Sequence, residues 1–256
     1  MPRTQGELLF ERYLTAQTLP FEFEKVQLGK SKRPDYTIEW QGRPVVFDVK
    51  DFDPPAGLKP GFAQVDPYPA IREKINQACD KFREYKEFCC ALVLRNLGNP
   101  NVGLNRADFM LGAMYGDRGF TFPVSGRNGI DVGAMQPAFL GRGKMIRPNW
   151  SKPQNTTISA LVTLTIIQPH YQRLREMKLA NPHEQIDECE AQLKAMIPDY
   201  DAALEVPRVI VWHNAVARIG FPSDLFCGPY DSHFGIVAVE QGITFRGSLL
   251  PSSVEL

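Results

Sequence analysis

The chain has no Cys-x-x-Cys pair. Its five cysteines, Cys79, Cys89, Cys90, Cys189 and Cys227, are scattered, and its four histidines lie far apart. That pattern argues against a zinc site. An odd cysteine count, with no apolar signal region after Met1-Pro2-Arg3-Thr4-Gln5, suits a reducing cytoplasm. No uninterrupted apolar run is long enough to span a bilayer, so no membrane partner is expected. There is no excess of one charge either: 29 Lys and Arg balance 29 Asp and Glu. Any nucleic-acid binding must therefore rest on local patches rather than on bulk charge. The absence of a Walker-type glycine loop removes motor activity, and the absence of a Gly-x-Ser-x-Gly elbow leaves a serine hydrolase unsupported.

What is present describes a globular protein. Of 256 residues, 43% are hydrophobic and 23% charged, enough for one large domain or a catalytic domain with an elaboration. Thr4 with Glu7 forms a capping-box signature ahead of Leu8, Leu9, Phe10, Tyr13 and Leu14, which predicts a helix over about 5–17. Alternation over 21–26 predicts a strand. Residues 36–40 and 45–50, separated by Gln41-Gly42-Arg43-Pro44, predict a hairpin. A helix is expected from Pro69, with Ile71, Ile75, Ala78, Phe82 and Tyr85 on one stripe, and then a buried strand over 89–94. Residues 97–155, rich in Gly, Asn and Pro, read as a long insertion. Further strands are expected at 158–167, 206–212 and 242–245. A helical pattern over 171–196 is broken near Pro182.

The chemistry concentrates in the hairpin. On Val45-Val46-Phe47-Asp48-Val49-Lys50, alternate side chains share a face, so Asp48 and Lys50 stand side by side. If Gln41-Gly42 is a two-residue loop, Trp40 faces Arg43 and Asp35 faces Asp48, with opposing Cβ atoms about 4.5–5.5 Å apart. A longer loop would shift that pairing. Two facing carboxylates repel unless a cation lies between them, and hard oxygen donors suit Mg²⁺ or Mn²⁺. A surface salt bridge between Asp48 and Lys50 is the plainer alternative.

These residues resemble the PD-(D/E)xK nuclease superfamily, with its restriction-endonuclease-like fold. Pro34-Asp35 matches the first motif, and Asp48-Val49-Lys50 the second, with Asp where Glu is commoner. The order of elements over residues 1–96 matches as well. The resemblance implies that Asp35 and Asp48 ligate metal with help from the Val49 carbonyl, and that Lys50 activates the attacking water and steadies charge on the phosphate. It also implies a glutamate from the first helix. Glu7 and Glu11 share one helical face there, and with Glu7 engaged in the capping box, Glu11 is the candidate. Some members carry a Gln or Lys on the next helix, where Lys74, Gln77 and Lys81 form a stripe; a solvated helix face is the alternative.

Two basic stretches are candidates for holding nucleic acid: Lys30, Lys32 and Arg33, and the run Arg142, Lys144, Arg147 and Lys152 with Trp150. A solvated loop is the alternative for both. His213 and His233 read as structural. Asp224 and Asp231 fall in a turn-rich tail with no assigned purpose.

The expectation is an α/β fold with a central mixed sheet flanked by helices. Residues 1–96 form a nuclease core, and 97–256 an insertion and C-terminal elaboration that completes the sheet and contributes to substrate binding. The expected activity is metal-dependent hydrolysis of phosphodiester bonds, as a DNA endonuclease in defence, restriction or repair, with RNA as the other substrate option. A homodimer is one option for the assembly. The rival is a non-catalytic nucleic-acid- or protein-binding member of the same fold.

Overall fold

A computed structural model describes residues 2–25, 29–54, 66, 68–121, 124–125, 129–130, 136–140, 142–147, 152–181, 183, 185–196, 205–239 and 242–246. In chain order the elements are α1 (Gln5–Ala16), β1 (Glu22–Phe23), β2 (Tyr36–Trp40), β3 (Arg43–Phe52), α2 (Tyr68–Phe82), β4 (Cys89–Asn96), α3 (Ala107–Tyr115), β5 (Asp117–Thr121), β6 (Val124–Ser125), β7 (Gly129–Ile130), β8 (Gln136–Leu140), β9 (Ile158–Ile167), α4 (Pro169–Ala180), α5 (Ile186–Met196), β10 (Val206–His213), β11 (Ser232–Val239) and β12 (Gly242–Arg246). The chain divides into two units, 1–164 with 209–256, and 165–208.

The larger unit is α/β, built on an eight-stranded sheet in the order β1-β2-β3-β4-β9-β10-β11-β12. β1–β2, β2–β3 and β11–β12 pair antiparallel; β3–β4, β4–β9 and β10–β11 pair parallel, so the sheet is mixed. The hairpin closes on Gln41 and Gly42 with φ of 51° and 73°. Two successive positive φ angles are the signature of a type I′ turn, whose twist matches that of the strands it joins. Trp40 therefore faces Arg43, and Tyr36 faces Phe47.

Helices cover both faces. On one, Ile71, Ile75, Ala78 and Phe82 of α2 are fully buried against Val46, Leu92 and Leu94, together with Met110 and Met114 of α3. On the other, Phe10 of α1 packs 5.3 Å from Phe47 and 5.4 Å from Tyr36, ring centroid to ring centroid. The capping box at Thr4 and Glu7 forms as expected. Strand β3 is buried on both faces, because Val46 and Asp48 lie under α2 while Phe47 lies under α1.

The structure departs from expectation in three places, while the helical pattern over 171–196 forms with the expected break. The strand at 21–26 shortens to Glu22–Phe23, because Glu24 turns to a positive φ of 45°; residues 26–28 lie outside the described set. The 97–155 stretch contains α3, whose residues 110–115 are all buried. Six consecutive buried residues leave no polar stripe over that part of the helix, so its sequence shows little periodicity. The same stretch holds the antiparallel pairs β5–β8 and β6–β7. The tail carries β11, unread because its apolar run follows a turn-rich segment. In the smaller unit, the helical pattern resolves into α4 and α5 around Leu174, Cys189 and Leu193; Pro182 lies outside the described residues. Among the described residues, no helix is long and apolar enough to cross a membrane.

Candidate active site

The hairpin and α2 bring four charged side chains together. Asp35 sits just before β2 and is fixed at both ends of the residue: its amide donates to Phe47 O at 2.9 Å, and its Oδ2 accepts from the Val49 amide at 2.7 Å. Asp48 lies on β3, next to Phe47, the last residue paired with β2, and is fully buried. Lys50 Nζ lies 2.9 Å from Asp48 Oδ1. Lys81, from the last turn of α2, reaches both carboxylates, 2.5 Å from Asp35 Oδ1 and 2.5 Å from Asp48 Oδ1. Two acids and two amines thus form a charge-balanced cluster. Asp48 Oδ2 is also buried and has no hydrogen-bond partner among the described residues.

Burial and the neighbouring Asp48 charge raise the Asp35 carboxyl to about 6, against the pull of Lys81. Burial also works to raise Asp48, but the charges of Lys81 and Lys50 outweigh it and hold Asp48 below the ordinary carboxylate range. Burial works to lower Lys81, and Asp48 and Asp35 outweigh it to raise Lys81. The two carboxyls are therefore pushed in opposite directions, Asp35 up and Asp48 down. Such a separation within one cluster is the pattern of a functional site, although structural ion-pair networks produce it too.

Other candidates lie elsewhere. Glu11 accepts from Tyr36 Oη at 3.0 Å and pairs with Arg3. Tyr36 faces Phe47, and Phe47 alternates with Asp48, so Glu11 is held on the opposite side of the sheet from the carboxylate pair. The cause is the Phe10–Tyr13–Leu14 stripe, which seats α1 on the Phe47 face and carries Glu11 with it. Gln77 is exposed and donates to Glu73 at 3.1 Å. Lys74 lies 5.8 Å over the Phe52 ring. Of the α2 stripe, only Lys81 arrives at the site. Its sequence signal was the shared stripe; which member reaches depends on the height at which α2 crosses β3.

The basic stretches divide. Lys32 Nζ donates to Asp80 O in the last turn of α2 at 2.8 Å, and Lys30 bonds Glu84 O and Glu87 in the turn that follows, so both cations are engaged at the C-terminal end of α2 and just after it. Arg33 is exposed. Arg142 and Arg147 are exposed and Lys144 is partly covered. Lys144 is near enough to Cys79 of α2 to act on its thiol, which burial nonetheless raises to about 12. Lys152 is exposed, with its carbonyl accepting from the Arg147 amide at 2.9 Å; Trp150 lies outside the described residues. An open cleft of about 530 Å³ runs along this flank of α2, lined by Asn76, Arg83, Lys86 and Thr156 among others.

His213 and His233 do pack together, ring nitrogen to ring nitrogen at 2.9 Å, with His233 Nε2 3.1 Å from Phe226 O. Asp231 accepts from Tyr13 Oη at 2.6 Å and from the Val209 and Gly228 amides at 2.8 Å, and Asp224 accepts from Trp40 Nε1 at 3.2 Å. The tail acids thus anchor α1 and the hairpin tip. Among the described residues, no group of three or more His, Cys, Asp or Glu side chains is placed to hold a metal ion. No protein-family model, no curated protein and no solved structure matches the chain.

Proposed function

We propose that the chain is a metal-dependent nuclease of the PD-(D/E)xK type, hydrolysing phosphodiester bonds at Asp35, Asp48 and Lys50. The observation that carries the reading is the convergence of two carboxylates, one just before β2 and one on β3, on a single cation, with a lysine two residues along β3. Burying two acids together is costly, and a purely structural pair could be replaced by apolar side chains with little loss. The buried, unpartnered Asp48 Oδ2 is a further hard donor. These donors fit Mg²⁺ or Mn²⁺, which take one or two protein carboxylates and complete their shell with water and substrate oxygens. Asp35 and Asp48 would hold the ion, with the Val49 carbonyl as the third ligand implied by the resemblance. When bound, such an ion polarises the phosphate and lowers the pKa of water.

The chain's own residues divide the remaining work. The Val49 amide fixes the Asp35 carboxylate, so its orientation does not depend on the substrate. Lys50 has a side chain 26% exposed, so a phosphate oxygen can approach its ammonium from solvent. A fixed point charge there would stabilise the negative charge that develops on the phosphate. Arg142, Lys144 and Arg147 supply a separate set of cations for the backbone of the substrate strand. DNA is proposed over RNA on the resemblance alone.

One observation favours a second reading. Lys50 and Lys81 already neutralise both acids, as they would in a non-catalytic member of this fold that binds nucleic acid. Incubation of purified protein with duplex and single-stranded DNA and RNA, in Mg²⁺, in Mn²⁺ and in chelator, decides between them. Metal-dependent cleavage supports the nuclease; binding without cleavage under every condition supports the rival.

A further inference from the structure

We propose that Lys81 is a built-in competitor for the metal ion, so that cation loading of the site is governed by whether this side chain occupies or leaves the space between the carboxylates. The inference rests on the metal-dependent reading above and adds its regulation.

Lys81 Nζ contacts Asp35 Oδ1 and Asp48 Oδ1 at the same distance, 2.5 Å, which places its charge where a bridging cation would be held. The position is occupied once only. Asp48 Oδ1 already takes Lys50 as well, so an arriving dication would bring four positive charges against two negative ones. Close charges in a buried setting interact strongly, and such an excess is unfavourable unless one ammonium withdraws. Lys81 is the one whose departure clears the site. It hangs from the last turn of α2 and contacts both carboxylates, so its withdrawal frees both, whereas withdrawal of Lys50 frees only Asp48. Swinging a lysine stem out to solvent exposes few apolar atoms and satisfies the ammonium with water. Lys50 would then remain on Asp48 with its charge available to substrate. The parent protein should therefore bind Mg²⁺ or Mn²⁺ weakly, and a phosphate group that draws Lys81 outward should strengthen that binding.

The test is Mn²⁺ binding by calorimetry and by the change in melting temperature, on the parent, Lys81→Met, Lys81→Gln, and Lys81→Gln combined with Asp48→Asn. Gln keeps a hydrogen-bond donor near the carboxylates without the charge, so it serves if Met disturbs folding. The expected result is affinity at least about tenfold tighter in both single variants, since removing a competing charge near the ion is worth a pKa unit or more, and loss of that gain in the double variant. Equal or weaker affinity in Lys81→Gln, with the parent still binding Mn²⁺, overturns the competition while leaving the metal site standing. No Mn²⁺ binding by any of the proteins overturns both.

Discussion

Asp35 Oδ2 accepts a hydrogen bond from the amide of Val49 at 2.7 Å, which ties the carboxylate before β2 to the strand that carries Asp48. The same carboxyl is raised to about 6 from an ordinary value of 3.8, by burial and then by Asp48. Between those values the folded protein holds a proton that the unfolded chain has released. The stabilising contribution is thus complete at low pH and is lost as pH rises through about 6. Asp35→Asn cannot ionise, and its side-chain oxygen can still accept from Val49. Its melting temperature relative to the parent should therefore rise between pH 4.5 and 7.5. A difference that stays flat across that range contradicts the shift.

A second pH effect has the opposite sign. Burial, and then His233, lower His213 to about 4 from an ordinary value of 6.5. Between those values the unfolded chain binds the proton and the folded chain does not, so stability falls as pH drops through the window. Melting temperatures of the parent and of His213→Gln, followed from pH 7 to 4.5, should diverge. The parent should lose more on acidification, because Gln lacks the titrating group.

The seat of α1 depends on one glycine. The Gly6 amide donates to Asp51 Oδ2 at 2.9 Å, and a Cβ at Gly6 would stand 2.1 Å from Asp51 Oδ1. Gly6→Ala must displace the carboxylate or the helix, at a cost of about 1–3 kcal/mol, despite the better helix propensity of alanine. Chemical denaturation measures it; an unchanged midpoint would show that Asp51 swings aside freely.

Substrate holding is separable from chemistry. Arg142 and Arg147 are exposed, so replacing Arg142, Lys144 and Arg147 with Ala should spare the fold. DNA affinity should weaken, and the slope of log K against log salt should flatten by about 0.9 for each phosphate contact removed. An unchanged slope would exclude this loop from the phosphate backbone.

The hairpin was the most legible part of the sequence because its constraints are local. Strand alternation placed Asp48 beside Lys50, and a two-residue turn at Gln41-Gly42 set Trp40 opposite Arg43 and Tyr36 opposite Phe47, which leaves Asp35 just beyond the paired positions. The capping box at Thr4 was equally local. What escaped depended on tertiary placement. Glu11 lies on a recognisable helix, but the face of the sheet that α1 covers is decided by Phe10 meeting Tyr36 and Phe47. Gln77 and Lys81 were indistinguishable on one stripe, and only the crossing of α2 over β3 selects Lys81. α3 hid because its buried residues, 110–115, run consecutively and leave no polar face there to mark the period.

The most direct test of the nuclease reading is the cleavage rate of Lys50→Ala beside the parent, in Mg²⁺, with metal and DNA binding measured on the same samples. Asp48 keeps Lys81 in the variant, and the lost side chain is partly exposed, so folding should change little. Metal and DNA should still bind, because Asp35, Asp48 and the basic loop are intact. The expected rate is about 10²–10³ below the parent, the usual cost of losing one preorganised charge-stabilising group. Cleavage by Lys50→Ala at the parental rate would contradict the assignment of Asp48-Val49-Lys50 as the catalytic motif.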